Sequence, residues 1–534
     1  MKNLTRIRSL IIGSCVSLSL ISCLEELDKR DKIETITVTP AVGFPLIASD
    51  FTFEEFLAEG KTTGYVTDRN GLIVLTYKDT LLSARADALF DVPDQQSPAI
   101  SIISAPVIFP GPGGTVTINQ SSSLSITPSQ SEELDSIWLK AGTLTTNIQS
   151  TFPYDVDLTL TIPGLKRQGQ TFQQTYALHG NTSLHPAVDL AEYHMDLTDN
   201  GTTFNTLSFL VKAVFRDNGS PLGGGENIQV NFDLSQLQFR ALFGKLGTKS
   251  LQIPQQSTGI DIFSRVTDGT FALQEPSITL HVANSFGFAA SLDISQIEVV
   301  KSDGSTLPIS GSAVVPPANP HLIGYPSLAE IGKIITTDVA LNAANSNIAA
   351  LVSALPGVLH SQFAGDLNPG HTPNNFVLDT SEMVVGVNFE LPLYGQVKGL
   401  GLTKSFNFSG IGIDNVDEVT LVTKTVNKLP LDVYLQAYFV DGSGITIDSL
   451  FTDGQVLIKA APVDAGGVPV SASEVVREAP INTAKIERIN SATSLVLRAS
   501  VSTTSNGAVP VKIMMNSNLI IDVGVRARIK YSVN

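Results

Sequence analysis

Apolar and polar residues alternate with a period of two along most of this chain. That spacing turns one face of a β-strand toward a core. The last such run is the clearest: Ile521, Val523, Val525, Ala527 and Ile529 fall on one side, with Asp522, Arg526, Arg528 and Lys530 among those opposite. Comparable runs predict strands around 33–38, 64–67, 72–77, 134–151, 382–389, 419–424, 432–440, 455–460, 494–502, 509–515 and 519–530. Turn residues punctuate them. Asn70-Gly71 between two β-rich runs predicts a tight hairpin, because both turn positions need a positive φ. Pro110-Gly111-Pro112-Gly113-Gly114 excludes regular structure, and Asn218-Gly219, Gly223-Gly224-Gly225, Asp441-Gly442-Ser443-Gly444 and Ser505-Asn506-Gly507 read as loop tips.

The pattern switches to a helical period in a few places. Thr52 and Glu55 form a capping-box pair ahead of Phe53, Phe56 and Leu57, predicting a short helix. Ser327 and Glu330 repeat that signature after Pro326, with Leu328, Ile331 and Ile335 on one face. A second helix is expected over about 346–355, where Ile348, Leu351, Val352 and Leu355 share a stripe and Pro356-Gly357 stops it. Such a stripe ordinarily covers the open face of a sheet; lining a lipid groove or docking on a partner are the alternatives.

Three segments share one shape. They are Asn147–Leu158, Val282–Leu292 and Thr425–Leu435, centred on Thr151-Phe152-Pro153-Tyr154, Ser285-Phe286-Gly287-Phe288 and Lys428-Leu429-Pro430-Leu431. In each, an alternating strand meets a polar residue, an apolar one, Pro or Gly, another apolar one, and a second strand. Pro or Gly inside a strand pattern marks a bend. The motif resembles the Asn-Pro-bend strand of late-embryogenesis-abundant and water-stress β-sandwich domains, although Asn284 and Asn427 are not followed directly by Pro. That resemblance implies a sandwich fold. The expected architecture is mainly β: tandem antiparallel β-sandwich domains with a small helical insert near 326–356. The expected division is a β-rich domain at 46–245, a sandwich with the insert at 246–415 and a C-terminal sandwich at 416–534.

The N-terminus departs from all of this. Lys2, Arg6 and Arg8 precede the apolar run from Leu10 to Ile21, which is too short to span a bilayer needing ~20 apolar residues. A basic start and a short apolar core make a secretory signal peptide. The run closes with Leu20-Ile21-Ser22-Cys23, which resembles the lipobox of bacterial lipoproteins. The resemblance implies cleavage after residue 22, acylation of Cys23 with palmitate-type chains, and a tether over 23–45. Glu25, Glu26 and Asp28 resemble the surface-export signal of Bacteroidota outer-membrane lipoproteins. They imply a protein on the outer membrane facing outward; a tether facing the periplasm is the alternative.

Composition narrows the chemistry. The 534-residue chain has a formal charge of −16, which becomes −19 when the three cations of 1–22 leave. An acidic chain is a poor partner for nucleic acid. Its two Cys are Cys15, inside the signal, and Cys23, so the mature chain has no disulfide to draw on. No Gly-x-Ser-x-Gly elbow, His-Glu-x-x-His site, phosphate loop or paired Cys ligands occur. His179, His185 and His194 are close in sequence and form the one metal or acid–base candidate, against a plain reading as loop His. Thr267-Asp268-Gly269 and Thr452-Asp453-Gly454 lack the alternating ligands of a calcium loop. Phe286 with Phe288, and Phe406 with Phe408, sit at i, i+2 and would make a lipid or glycan platform if exposed. No enzyme, cofactor or metal is expected. The leading expectation is a non-catalytic cell-envelope lipoprotein, a scaffold or accessory subunit of an outer-membrane protein complex. A lipid-binding or transfer protein with an apolar groove, and a surface glycan-binding protein, are the alternatives.

Overall fold

A computed structural model of the chain describes residues 36–38, 41–52, 65–105, 107–259, 269–301, 303–408, 416–451, 456–529 and 531–533. The helix expected from Phe53 onward, the two Asp-Gly turns at 267–268 and 452–454, and the anchor region lie outside them. Thr52 closes a strand, Ala41–Thr52. The described chain is mainly β, arranged as tandem antiparallel sandwiches.

Three sandwiches share one topology. In sandwich III, one sheet runs Ala41–Thr52, Asn518–Ile529, Val416–Asn427, Ser473–Asn482. The other runs Leu400–Asn407, Ser494–Thr503, Leu431–Val440, with Thr446–Ser449 and Val456–Ile458 on the far edge. Sandwich II repeats this strand for strand. Its first sheet is Leu72–Arg85, Glu382–Pro392, Ser277–Asn284, Ile335–Leu341; its second is Lys249–Gly259, Val358–Leu367, Ala290–Val300, edged by Thr306–Pro308 and His321–Ile323. Even the helices correspond: Ile348–Ser353 and Thr483–Ile489 each connect the edge strand of the first sheet to the central strand of the second. Sandwich I keeps the order too. Ile100–Ile103, Asn227–Lys245, Glu133–Ser150 and Ala187–Asp189 form one half; Thr115–Ser125, Thr206–Arg216, Asp155–Arg167 and Gln170–His179 form the other. Here His194–Asp196 pairs with both halves and makes them one continuous sheet.

The modules are nested. The chain gives its first strand to III (41–52), its next long strand to II (72–85) and only then enters I (95–103). It completes the sandwiches in reverse: I by 245, II by 392, III by 529. The expected continuous domain at 46–245 is therefore corrected. Its residues 46–52 and 65–85 belong to the sheets of III and II, and Leu400–Asn407 belongs to III rather than to the expected 246–415 unit. Alternation reveals that a segment is a strand but carries no information about its partner.

Asn70-Gly71 forms the expected hairpin between Tyr65–Arg69 and Leu72–Arg85, with φ of 55° and 84°. The helical insert is smaller than expected. Ser327 N–H and Oγ–H both donate to the Glu330 carboxylate, at 3.3 and 3.0 Å, but the box opens a single 3-10 turn, Leu328–Glu330. Gly332, at φ +86°, ends it, and Ile335 begins a strand. Leu328 and Ile331 are consequently exposed, not buried on a helix face. Ile348–Ser353 does bury Ile348 and Leu351.

The three-fold sequence motif marks the corner where the chain leaves its first sheet. Asn284 Oδ1 accepts from Phe286 N–H at 3.0 Å, and its amide donates to the carbonyls of Phe288 and Gly324 at 3.2 and 3.0 Å. Asn427 repeats the pattern: Leu429 N–H at 2.8 Å, the Leu431 carbonyl at 3.1 Å and the Lys459 carbonyl at 2.9 Å. Ser150 stands at that position in sandwich I and accepts only from Phe152 N–H, at 3.3 Å. All three side chains are buried, where an unmet backbone group would cost ~1–3 kcal/mol.

Each corner is also a plug between modules. Phe286 and Phe288, fully buried, stack on one another and pack against Phe90, which leads into sandwich I, at 6.3 and 6.2 Å. Lys249 sits 4.9 Å over the Phe90 ring and pairs with Glu132 at 2.7 Å, both buried. Asn375–Leu378 then adds a strand to the end of Asn227–Lys245 in sandwich I. The II–III junction has similar parts: Leu429 packs with Ile73 and Ile513, and Val511–Lys512 pairs with Tyr394-Gly395, just past the last strand of II. Sandwich I ends the series, and its corner is capped by its own loops. Phe109 meets Tyr154 edge-on at 5.1 Å, and the Tyr154 hydroxyl donates to the Ser220 carbonyl at 2.7 Å. Atypical terminal units that close the core are a general feature of repeat arrays.

Candidate functional site

Cys23, Glu25, Glu26 and Asp28 lie outside the described residues. The chain that follows them enters sandwich III, where Ile36–Val38 pairs with Tyr531–Val533. From Cys23 to Ile36 is 36 − 23 = 13 residue steps, ~45 Å when fully extended. Among the described residues no helix is long and apolar enough to cross a membrane.

The three histidines do not converge. His179 Nδ1 is 3.0 Å from Asp155 Oδ1, His185 Nδ1 is 2.9 Å from Asn147 Oδ1, and His194 meets the ring of Trp138 edge-on. Burial beside that indole lowers the His194 pKa, an effect the nearby Asp196 opposes. No group of three metal-ligating side chains comes together among the described residues. The aromatic pairs separate in role. Phe286 and Phe288 are corner plugs, which removes them as a platform. Phe408 packs on Phe439 at 5.2 Å, and Phe406 remains exposed.

Two surface features remain. The first is an apolar excursion of sandwich II between residues 315 and 334. Val315, Leu322, Tyr325, Leu328, Ile331 and Ile334 are all exposed, Leu322 to 74%. Polar contacts pin the segment beneath them. Buried Asn319 accepts from Ile294 N–H at 3.0 Å and donates to Asp293 at 2.6 Å, and His321 Nε2 lies 2.8 Å from the Ala313 carbonyl. The sequence puts Leu328, Ile331 and Ile335 on one face of an expected helix, which the structure replaces by the 3-10 turn Leu328–Glu330. The usable signal was the Gly332 that cuts that helix short.

The second is a cleft of 740 Å³ on the outer face of sandwich III. Three strands build it. Cross-strand register puts Gly401, Ser500 and Tyr434 in one row and Thr403, Arg498 and Gln436 in the next. Tyr438 lies two residues along the same face, while Ala437 and Phe439 point into the core. Arg498 spreads over the Tyr438 ring at 5.2 Å. Thr270 and Lys398 form the end wall, where Gly269 and Gly399 touch so closely that a Cβ on Gly269 would lie 2.5 Å from the Gly399 carbonyl oxygen. From sequence Gly269 is only part of a turn, and no binding role attaches to the others. Each is an ordinary outward strand position, and only the spacing Tyr434-Leu435-Gln436-Ala437-Tyr438, with large rings on an exposed face, pointed to a surface in use.

Comparisons with known proteins add little. No protein-family model and no curated protein matches the chain. Among solved structures, a protein of Parabacteroides distasonis described as secreted is similar at 12% identity, over 52% of this chain and 82% of that one, with a TM-score of 0.28. The VP2 subviral particle of infectious bursal disease virus matches at 8% identity over 83% and 82%, TM-score 0.13. N-glycanase F matches at 11% over 55% and 96%, TM-score 0.14. Superpositions this loose carry no argument about activity.

Proposed function

We propose that this chain is a non-catalytic cell-envelope lipoprotein, anchored through Cys23 to the outer membrane with its body facing outward. It acts as a scaffold or accessory subunit for an outer-membrane protein partner. The observation that carries the reading is the apolar excursion of sandwich II. Side chains such as Leu322 and Ile334 are exposed on a segment pinned by buried hydrogen bonds. Several exposed apolar side chains on one short segment favour contact with another protein. The acidic residues behind Cys23 supply the outward direction.

A photo-crosslinking residue at Leu322 or Ile334 of the full lipidated chain tests this in cells. The expected result is a discrete adduct with an outer-membrane protein, lost when both positions are aspartate. Adducts with no protein at either position would sink the reading. Protease shaving of whole cells tests the direction, since a periplasm-facing protein survives it. The lipid-carrier alternative draws less support: the void between the two sheets of sandwich II is 10 Å³, too small for an acyl chain.

A further inference from the structure

We infer that the cleft on the outer face of sandwich III is a binding site for an anionic saccharide, one bearing carboxylate or phosphate groups. The inference is independent of the partner reading, which rests on sandwich II.

Charge supplies the first argument. On the opposite sheet of sandwich III three cations are matched, Lys424 with Glu474 at 2.9 Å, Arg526 with Glu478 at 3.3 Å and Arg528 with Glu418 at 3.7 Å, while Arg477 on its edge strand faces solvent. Arg488 is likewise paired with Asp448 at 2.7 Å. In the cleft, neither Arg498 nor Lys398 has a carboxylate in ion-pairing range among the described residues. Two cations in one concavity, without a carboxylate partner among the described residues of a chain with net charge −16, favour an anion.

Geometry supplies the second. The Arg498 guanidinium lies 5.2 Å from the centre of the Tyr438 ring and lines the cleft, and a guanidinium grips carboxylate or phosphate through paired hydrogen bonds. Lys398 adds a point charge at the end wall. Tyr434, the exposed ring of the cleft, offers apolar surface for the C–H face of a pyranose, and the hydroxyls of Thr270, Thr403 and Ser500 offer donors and acceptors. The volume lies within the ~300–1,000 Å³ range of small-ligand sites. A purely apolar ligand would leave both cations desolvated and unpaired, so a lipid tail fits this cleft poorly.

The test uses the full chain with three probes: a galacturonic-acid hexamer, a neutral glucose hexamer of the same length, and glucose 6-phosphate. Isothermal titration should show saturable binding of the uronate hexamer, the phosphosugar or both, and none comparable for the neutral hexamer. Which anionic probe binds distinguishes a carboxylate from a phosphate source. Arg498→Gln should weaken that binding about tenfold or more, from the loss of a charge-assisted pair. Lys398→Gln should weaken it less, and raised salt should weaken it in the unaltered protein. Both positions are on the surface, so unchanged thermal melting separates loss of the site from loss of the fold. Equal binding of the neutral hexamer, binding indifferent to Arg498→Gln, or no binding of either anionic probe overturns the inference.

Discussion

At the scale of single residues, the corner asparagines carry the most structure per atom. Asn427 satisfies one backbone N–H and two carbonyls that the bend leaves without sheet partners. Asn427→Ala should orphan all three and destabilise sandwich III by about 3 kcal/mol, at ~1 kcal/mol or more per buried group. Asn427→Ser should recover part of that, because Ser150 makes the single N–H contact at the same place in sandwich I. Chemical denaturation monitored on a sandwich III signal ranks the two variants. If Ala and Ser prove equal, the side-chain bonds are not what holds the bend. The sequence displayed the break at these positions, since an apolar-Pro-apolar or apolar-Gly-apolar step interrupts the alternation. It did not display the hydrogen bonds, because their third partners, Gly324 and Lys459, lie just past edge strands 40 and 32 positions further along the chain. The cleft was illegible for the same reason. Tyr434, Arg498 and Thr403 are neighbours only through strand register, and each alone reads as a solvent-facing position.

At the scale of elements, the corners couple one sandwich to the next, and Gly287 shows how tightly. A Cβ there would lie 2.1 Å from the ring of Phe376, which is itself fully buried and starts the strand that II lends to I. The φ of Gly287 is unexceptional, so space, not backbone freedom, demands glycine. Gly287→Ala should cost ~3 kcal/mol or somewhat more through overpacking. The damage should be local: amides of 241–244 and 375–378 should lose hydrogen-exchange protection while the centre of sandwich I keeps it. Gly225→Ala is the control, since nothing lies within 4 Å of its added methyl. Equal melting of the two variants would show that the I–II junction has slack. Strand existence was readable from alternation at most of these places, and the hairpin at Asn70-Gly71 was readable from turn chemistry. The edge strand and helix at 473–489 went unread: a strand with one face in water and a seven-residue helix give little periodic signal.

At the scale of the molecule, nesting makes the first described strands depend on the last. Ala41–Thr52 pairs along its length with Asn518–Ile529, from Ala41 opposite Arg528 to Thr52 opposite Asn518, and Asn518 reaches Asp50 at 2.8 Å across 468 positions of sequence. No local pattern announces such a pairing, which is why a contiguous division of the chain misassigned it. Closing so long a loop is slow but adds little equilibrium cost, because loop entropy grows only as the logarithm of length. Sandwich III nevertheless has a core of its own, with Phe439, Ile486 and Ile489 in a cluster apart from the single one that I and II share. Deleting residues 36–52 should therefore unseat sandwich III and spare sandwich I. Hydrogen exchange should rise across 416–427 and 518–529, where the lost strand leaves a bared sheet edge. It should stay unchanged across 133–150 and 227–245. Uniform loss of protection would mean that the three modules fold as one unit, and unchanged protection in sandwich III would mean that the first strand is dispensable. The outcome bears on the anchor proposed at Cys23, because residues 36–52 hold the first described strands after it.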